Sequence, residues 1–248
     1  MAKKEMPPET LAFIEAHAGD NVQTLALQAA RFPKVNMAVA ITQIAARQTA
    51  QTKLPTWWKT IGIRYPHHLS MEQCSSEVTA RYKATLIPEQ PKAGPFTDLS
   101  GGFGVDFVCM AQGFSEATYV ERQEELCLLA THNFPLLGLP DAQVINTDSV
   151  RHLEKMPPQS VIFIDPARRN QRGGKVIAIS DCEPNISLLY EQLIQKAQRV
   201  IVKLSPMLDI SQALEVLPCV REVHIIAVKG ECKELLLILE AEAKSAEA

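Results

Sequence analysis

Asp98-Leu99-Ser100-Gly101-Gly102-Phe103-Gly104-Val105-Asp106 is the stretch that decides how this chain folds. Apolar residues precede it and Val105, Phe107, Val108, Met110 and Ala111 follow, so it reads as a strand end, a glycine turn and the start of a helix. Glycine lets another molecule approach the main chain closely, which makes the N–H groups of such a turn available to a ligand.

Downstream of this turn, short β-rich runs alternate with helical ones, the pattern of a parallel sheet covered on both faces. Strands are predicted at Phe96 to Leu99, Ala117 to Val120, Gln143 to Asn146, Val161 to Ile164 and Val200 to Leu204. Helices are predicted at Val105 to Ala111, Gln123 to Asn133, Ser149 to Lys155, Ile186 to Ala197 and Ile210 to Leu217. Two further β-rich segments, Val223 to Val228 and Glu234 to Leu239, are joined by only Lys229-Gly230-Glu231-Cys232-Lys233. That link is too short for a crossover helix, so the two must pair antiparallel as a hairpin.

Upstream the pattern is helical. Asp20 is placed to cap a segment through Arg31, Asn36 one carrying Met37, Val39, Ile41, Ile44 and Ala45, and Ser70 one running to about Ile87. Leu54-Pro55-Thr56-Trp57-Trp58 reads as punctuation, and the proline-rich run from Pro88 to Pro95 as a linker. The expected division is an all-α domain over residues 1–90 and an α/β domain over residues 91–248.

Composition narrows the function classes. The 248 residues are 46% hydrophobic, enough for a sizeable core, and no apolar run approaches membrane-spanning length. Met1-Ala2-Lys3-Lys4-Glu5 lacks the apolar core of a signal peptide, so a cytoplasmic setting is expected. Six cysteines form no Cys-x-x-Cys pair and His67-His68 has no partner at ligand spacing, so neither disulfides nor a metal site is expected. The net charge of −3 gives no overall basic field, and any affinity for nucleic acid must come from a local patch. Arg168, Arg169, Arg172 and Lys175 around Gly173-Gly174 form one such patch.

In a sheet of this kind ligands bind beyond the carboxyl ends of the strands. Asp98, Glu121, Asp148, Asp165, Lys203 and Ser205 line up there. An acid ending the second strand is placed for a ribose diol, which implies a nucleoside. Reading on from Gly102 and Gly104 puts Phe107 where a dinucleotide fingerprint needs its third glycine, and no Gly-Lys-Ser/Thr ending marks a P-loop. A nucleoside held by acids and backbone remains, and S-adenosylmethionine is such a molecule. Each residue also has a plainer role: Glu121 as a helix-start acid, Asp148 as an N-cap for the helix at Ser149, and one of Trp57 and Trp58 as core.

Asp98-x-Ser100-x-Gly102-x-Gly104 resembles the first motif of the class I S-adenosylmethionine-dependent methyltransferases, with serine for its first glycine. Glu121, Asp148 and Asp165-Pro166-Ala167-Arg168 resemble the motifs that follow, over about residues 95 to 240. The resemblance implies a Rossmann-like seven-stranded sheet with a terminal antiparallel hairpin. It also implies a cofactor site of Asp98, Ser100, Gly101, Gly102, Phe103, Gly104, Glu121, Arg122, Asp148 and Ser149. The stretches Ile44-Ala-Ala-Arg47-Gln48, Leu54-Pro-Thr-Trp57 and Met71 to Lys83 are similar to a bacterial subfamily with a helical leader and a C-terminal THUMP-like module, expected to be missing here. Such a module implies an RNA substrate.

Amino-group methyltransferases usually follow the Asp-Pro pair with proline and an aromatic, whereas here Arg168 stands in the aromatic's place. The uridine C5 enzymes need a cysteine just after the fifth strand, where this chain has Lys203-Leu-Ser205-Pro206-Met207. Methylation of an exocyclic amine of an RNA base is therefore expected, with Asp165, Pro166 and Arg168 catalytic and Arg168, Arg169, Arg172 and Lys203 on the substrate. Two alternatives stay open: a cofactor- or RNA-binding module without catalysis, and a methyltransferase acting on a small molecule or protein.

Overall fold

The computed structural model describes residues 6–88, 94–168 and 178–240. One sheet is built from β1 (Pro95–Asp98), β2 (Glu116–Glu121), β3 (Gln143–Asn146), β4 (Gln159–Ile164), β7 (Ala197–Leu204), β8 (Val220–Val228) and β9 (Glu231–Leu239). Their order is β3-β2-β1-β4-β7-β9-β8. The first five are parallel, with Thr97 beside Thr118 and Ile162, and Ile162 beside Val200. β9 runs antiparallel between β7 and β8, with Lys203 opposite Leu236. Leu235 to Leu239 are all buried, as expected for a strand with neighbours on both edges and helices over both faces.

The hairpin turn is tighter than predicted. Lys229 and Gly230 both take left-handed conformations (φ 53° and 80°), a two-residue turn that matches the twist of the flanking strands. The strands therefore extend through residues read as loop. A small antiparallel pair that the sequence pattern did not predict, β5 (Ala167–Arg168) with β6 (Cys182–Glu183), lies beyond β4.

The helices α7 (Val105–Met110), α8 (Glu124–Leu136), α9 (Ser149–Lys155), α10 (Ile186–Lys196) and α11 (Ile210–Val216) fill the crossovers as predicted, within a few residues at each end. The N-terminal part needs more correction. It contains α1 (Pro8–Ala16), α2 (Val22–Leu27), a 3₁₀ turn at Ala29–Arg31, α3 (Met37–Lys53), α4 (Pro55–Lys59), α5 (His68–Gln73) and α6 (Glu77–Thr85). Asn36 caps α3 as expected, accepting from the Val39 N–H. Asn21 caps α2 in place of Asp20, and Ser76 caps α6, splitting the segment predicted from Ser70. Leu54-Pro55-Thr56-Trp57-Trp58 is helix α4 with Pro55 in its first turn, where a missing N–H costs nothing. Glu77 on α6 accepts from the Thr56 N–H at 2.7 Å, capping α4 from a different helix.

Two cores flank the sheet. Leu153, Ile186, Leu193, Ala213 and Leu217 of α9 to α11 and the residue after pack on Ile162, Ile164, Val200, Val202 and Leu237. On the other face Trp57, Tyr65, Met71, Ala80 and Ile87 join Phe96, Phe103, Phe107, Phe134 and Phe163 in one continuous cluster. The helical segment from Ala46 to Ile87 thus shares its core with the sheet. Most of the proposed linker, residues 89–93, lies outside the described residues. Among the described residues no helix is long and apolar enough to cross a membrane.

Candidate active site

A cleft of about 930 Å³ opens at the carboxyl ends of the parallel strands. Its lining brings together Asp98, Ser100 to Gly104, Glu121, Arg122, Asp148, Ser149, Asp165, Pro166 and Lys203. Arg169 and Arg172, and the side chain of Arg168, lie outside the described residues; the backbone of Arg168 pairs with Cys182.

The turn's shape follows from its neighbours. Gly104 caps α7 at φ 84°, a left-handed conformation, and a Cβ there would come within 2.7 Å of the Phe134 ring. A Cβ on Gly101 would fall inside the ring of Tyr119, whose hydroxyl donates to the Gly102 carbonyl at 2.5 Å. Phe103 is buried against Trp57 and Tyr65, with ring centroids 6.5 and 6.1 Å away. The helical segment therefore supports the turn from behind. Trp57 is core, 1% exposed.

Glu121 is buried and both its oxygens are engaged: Oε2 accepts from the Gly102 N–H at 2.9 Å and Oε1 from the Gln123 N–H at 2.8 Å. One carboxylate thus holds the glycine turn against the end of β2, and each oxygen keeps a second lone pair for a hydroxyl donor. Asp148 caps α9 through Oδ1, which accepts from the Val150 and Arg151 N–H groups, so its plainer role is realised at an exposed position on the rim of the cleft. Arg122 is exposed, 3.9 Å from Glu183.

Ser100 explains itself here. Its hydroxyl accepts from the Asp165 N–H at 2.6 Å and donates to Asp98 Oδ1 at 3.2 Å, so serine in the first glycine's place ties the ends of β1 and β4 together. Asp98 is 1% exposed; Oδ1 also accepts from the Ser100 N–H at 2.8 Å, while Oδ2 is buried without a partner. Burial pushes the Asp98 carboxyl up to about 8, opposed by the Ser100 N–H bond and reinforced by Asp106. Unfolded, the same carboxyl ionises near its ordinary value of about 4. Folding thus binds a proton between those values, and this group's contribution to stability is full below pH 4 and lost as pH rises towards 8. Thermal melts of Asp98→Asn between pH 5 and 8.5 are expected to lack that part of the decline; an unchanged pH profile would contradict it.

Asp165 and Lys203, assigned separately to catalysis and substrate, form an ion pair through Oδ2. Burial opposes the charge on Lys203, but Asp165, Asp106 and Glu234 outweigh it and hold the ammonium above its ordinary range. Lys203 stays cationic, and Asp165, partly exposed in the lining of the cleft, keeps Oδ1 outside that ion pair.

No family model and no curated protein matches the sequence. Among solved structures, a candidate methyltransferase from Porphyromonas gingivalis W83 superposes with a TM-score of 0.80 at 32% identity over 96% of this chain. The fold is the Rossmann-like methyltransferase fold. This chain spans 59% of the length of that protein. Two more distant structures share the methyltransferase fold. A candidate RNA methyltransferase from Pyrococcus horikoshii gives a TM-score of 0.51 at 13% identity, over 77% of this chain and 97% of its own. A candidate methyltransferase solved with S-adenosylhomocysteine gives 0.51 at 11% identity, over 66% of this chain and 48% of its own.

Four site-supporting residues of this methyltransferase fold escaped the sequence reading. Lys83 on α6 is fully buried, with its ammonium 3.0 Å from Ser75 Oγ and 3.0 Å from Asp106 Oδ1 and paired with Glu234. Ser75 also donates to Asp106 Oδ2 at 2.7 Å. Two signals were present: Lys83 falls three residues after Ala80 on the buried stripe of α6, and Glu234 opens an otherwise wholly apolar run. Neither signal names the partner. No cluster of histidine, cysteine or acidic residues suited to a metal occurs among the described residues.

Proposed function

We propose that this chain is an S-adenosylmethionine-dependent methyltransferase that methylates an exocyclic amine of an RNA base. One observation carries the reading: a single cleft gathers the Ser100 to Gly104 turn, Glu121, Asp148 and the Asp165-Pro166 pair at successive strand ends. The 32% identity to the Porphyromonas gingivalis candidate methyltransferase, which extends over almost the whole of this chain, supports it.

The donor set suits the cofactor. Glu121 keeps lone pairs for the ribose hydroxyls, Asp148 and Ser149 line the same cleft for the adenine, and Asp98 Oδ2 is buried with no partner inside the protein. When bound, S-adenosylmethionine supplies a methyl group on a sulfonium, and the residues here need only align and desolvate the acceptor. Asp165 Oδ1 accepts the acceptor's N–H while Lys203 fixes the carboxylate through its other oxygen. The basic run Arg168, Arg169, Arg172 and Lys175 supports a polyanionic substrate.

Calorimetric titration with S-adenosylhomocysteine and transfer of labelled methyl to total RNA test the two halves separately. Wild type is expected to bind and to label RNA; Glu121→Ala loses binding, and Asp165→Ala labels RNA on the order of a hundredfold less. Label appearing in protein or small molecules would replace RNA as the substrate. Binding without any transfer would favour a binding module.

A further inference from the structure

We propose that the helical segment carries a contact surface of its own, outside the cleft: the face made by α3 and the chain after α4 holds the phosphodiester backbone of a single-stranded polynucleotide. This rests on the RNA reading above and adds to it where the strand lies beyond the cleft.

The inference begins with the distribution of charge. Residues 21–71 contain Arg31, Lys34, Arg47, Lys53, Lys59 and Arg64 and not one aspartate or glutamate. At the chain's own frequency of acids, 28 in 248 residues, a stretch of 51 would hold about six. The whole chain has 25 Lys and Arg against 28 Asp and Glu, so the rest of it holds 19 against 28. A chain of net charge −3 thus keeps one cationic segment within an acidic remainder, an asymmetry that attracts a polyanion.

Neutralising partners are missing at close range. Among the described residues none of the six takes part in an ion pair. Three acids that come close to the segment are held by histidines instead: Asp20 by His17 at 2.7 Å, Glu125 by His67 at 3.2 Å and Glu72 by His68 at 3.6 Å. Lys53 is spent on the last turn of α5, donating to the Met71 and Glu72 carbonyls at 2.7 Å each. The other five are left to meet an anion from outside.

Geometry gathers three of them. Gln43 on α3 clamps the chain after α4: its amide donates to the Tyr65 carbonyl at 2.7 Å and accepts from the Tyr65 N–H at 2.9 Å. A cavity of about 40 Å³ forms where that chain meets α3, lined by Gln43, Arg47, Thr60, Gly62, Ile63 and Tyr65 among others. Burial pushes the Tyr65 hydroxyl up to about 12, against the opposing pull of the Arg47 charge, so at neutral pH it remains an O–H donor. A guanidinium without a counter-ion and a phenolic O–H beside it are a donor set for phosphate, and Lys59 and Arg64 stand at the two ends of the clamped stretch. The surface also adjoins the cleft. α5, which Lys53 fastens to α3, supplies Ser70 and Gln73 to the cleft wall, so a strand held on this face lies next to the place where its base would react. A flat lipid surface would make no use of that adjacency.

The test is fluorescence anisotropy of the whole chain with a labelled oligouridylate of about 20 nucleotides across a salt series. Wild type is expected to bind with a slope of log Kd against log salt of about 3.5, the value for five phosphate contacts on a single strand. The triple variant Arg47→Gln, Lys59→Gln, Arg64→Gln should lower that slope by about 2 and weaken binding about a hundredfold at about 0.1 M salt. A second triple variant, Lys155→Gln, Arg221→Gln, Lys229→Gln, removes as much exposed charge from other elements and should change neither value. Lys59→Gln alone, at an exposed position, should cost about fivefold and keeps the test open where the triple variant is unstable. S-adenosylhomocysteine should bind all of them alike. Unchanged slopes in both helical variants, or no binding of oligouridylate by wild type at low salt, overturns the proposal; labelled methyl still entering RNA would then leave the RNA reading standing. Tighter binding to phosphatidylserine vesicles than to oligouridylate, lost in the same variants, also overturns it. Oligouridylate binding through these residues, with label entering only protein or small molecules, upholds the surface and removes RNA as the methylated substrate.

Discussion

Lys83→Met is expected to lower the unfolding free energy by about 3–5 kcal/mol, the scale observed when one partner of a buried ion pair is removed. The lysine is fully buried, and its ammonium is the counter-charge for both Asp106 and Glu234, which are themselves largely buried. Methionine fills similar space but leaves two largely buried carboxylates without their counter-charge, and Ser75 donates to Asp106 alone. Urea denaturation at pH 7 measures the loss. Lys233→Met, which removes an exposed pair with Glu231, serves as the control and should change stability by about 0.5 kcal/mol or less. A Lys83→Met loss as small as that control would mean that the network is not what joins α6 to the sheet.

The second large effect concerns the turn itself. Alanine at Gly101 would place its Cβ inside the Tyr119 ring, and that ring has nowhere to go. Tyr119 is fully buried, packed edge-on against Phe107 and Phe134 at 5.6 and 5.2 Å between centroids, and anchored by its hydroxyl to the Gly102 carbonyl. Overpacking of this kind costs about 1–3 kcal/mol where side chains can shift and more where they cannot. Gly101→Ala should therefore fall at or above the top of that range and should also abolish S-adenosylhomocysteine binding, because the Gly102 N–H that Glu121 holds moves with the turn. Gly138→Ala offers a contrast. It carries a left-handed strain at φ 85° that Gly101 does not, but meets no atom within 4 Å, so it should lose about 1 kcal/mol and no binding. Equal binding losses in the two variants would mean that the Tyr119 contact does not set the turn.

Much of this architecture was legible because its signals are local. β4 reads as a strand because Val161 to Ile164 are apolar and β-favouring, and it is buried throughout; the hairpin follows from a link too short for a helix. The turn announces itself through glycines between a strand and a helix, and the acids at the strand ends are found by counting along each element. The N-terminal helices were harder. Several caps along one helical stretch compete, so Asn21 displaced its neighbour Asp20, and Ser76 rather than Ser70 begins α6. Leu54-Pro55-Thr56-Trp57 carries the signature of a chain break as well as of a helix start. Capping of α4 by Glu77, 21 residues further on, makes it a helix.

By itself, then, the sequence determined the order of the seven strands of the main sheet and the helices between them, the position of the glycine turn and the set of polar residues that converge at one end of the sheet. These depend on hydrophobic period, turn chemistry and chain direction, which neighbouring residues specify. Only the tertiary structure decided what those residues do to one another. It made Ser100 the tie between Asp98 and Asp165, turned Glu121 towards two backbone N–H groups, locked Lys203 onto Asp165, and brought Lys83 across from α6 to Asp106 and Glu234. The physical reason is that charge pairing and burial depend on distance in space, and partners such as Lys83 and Glu234 stand 151 residues apart along the chain.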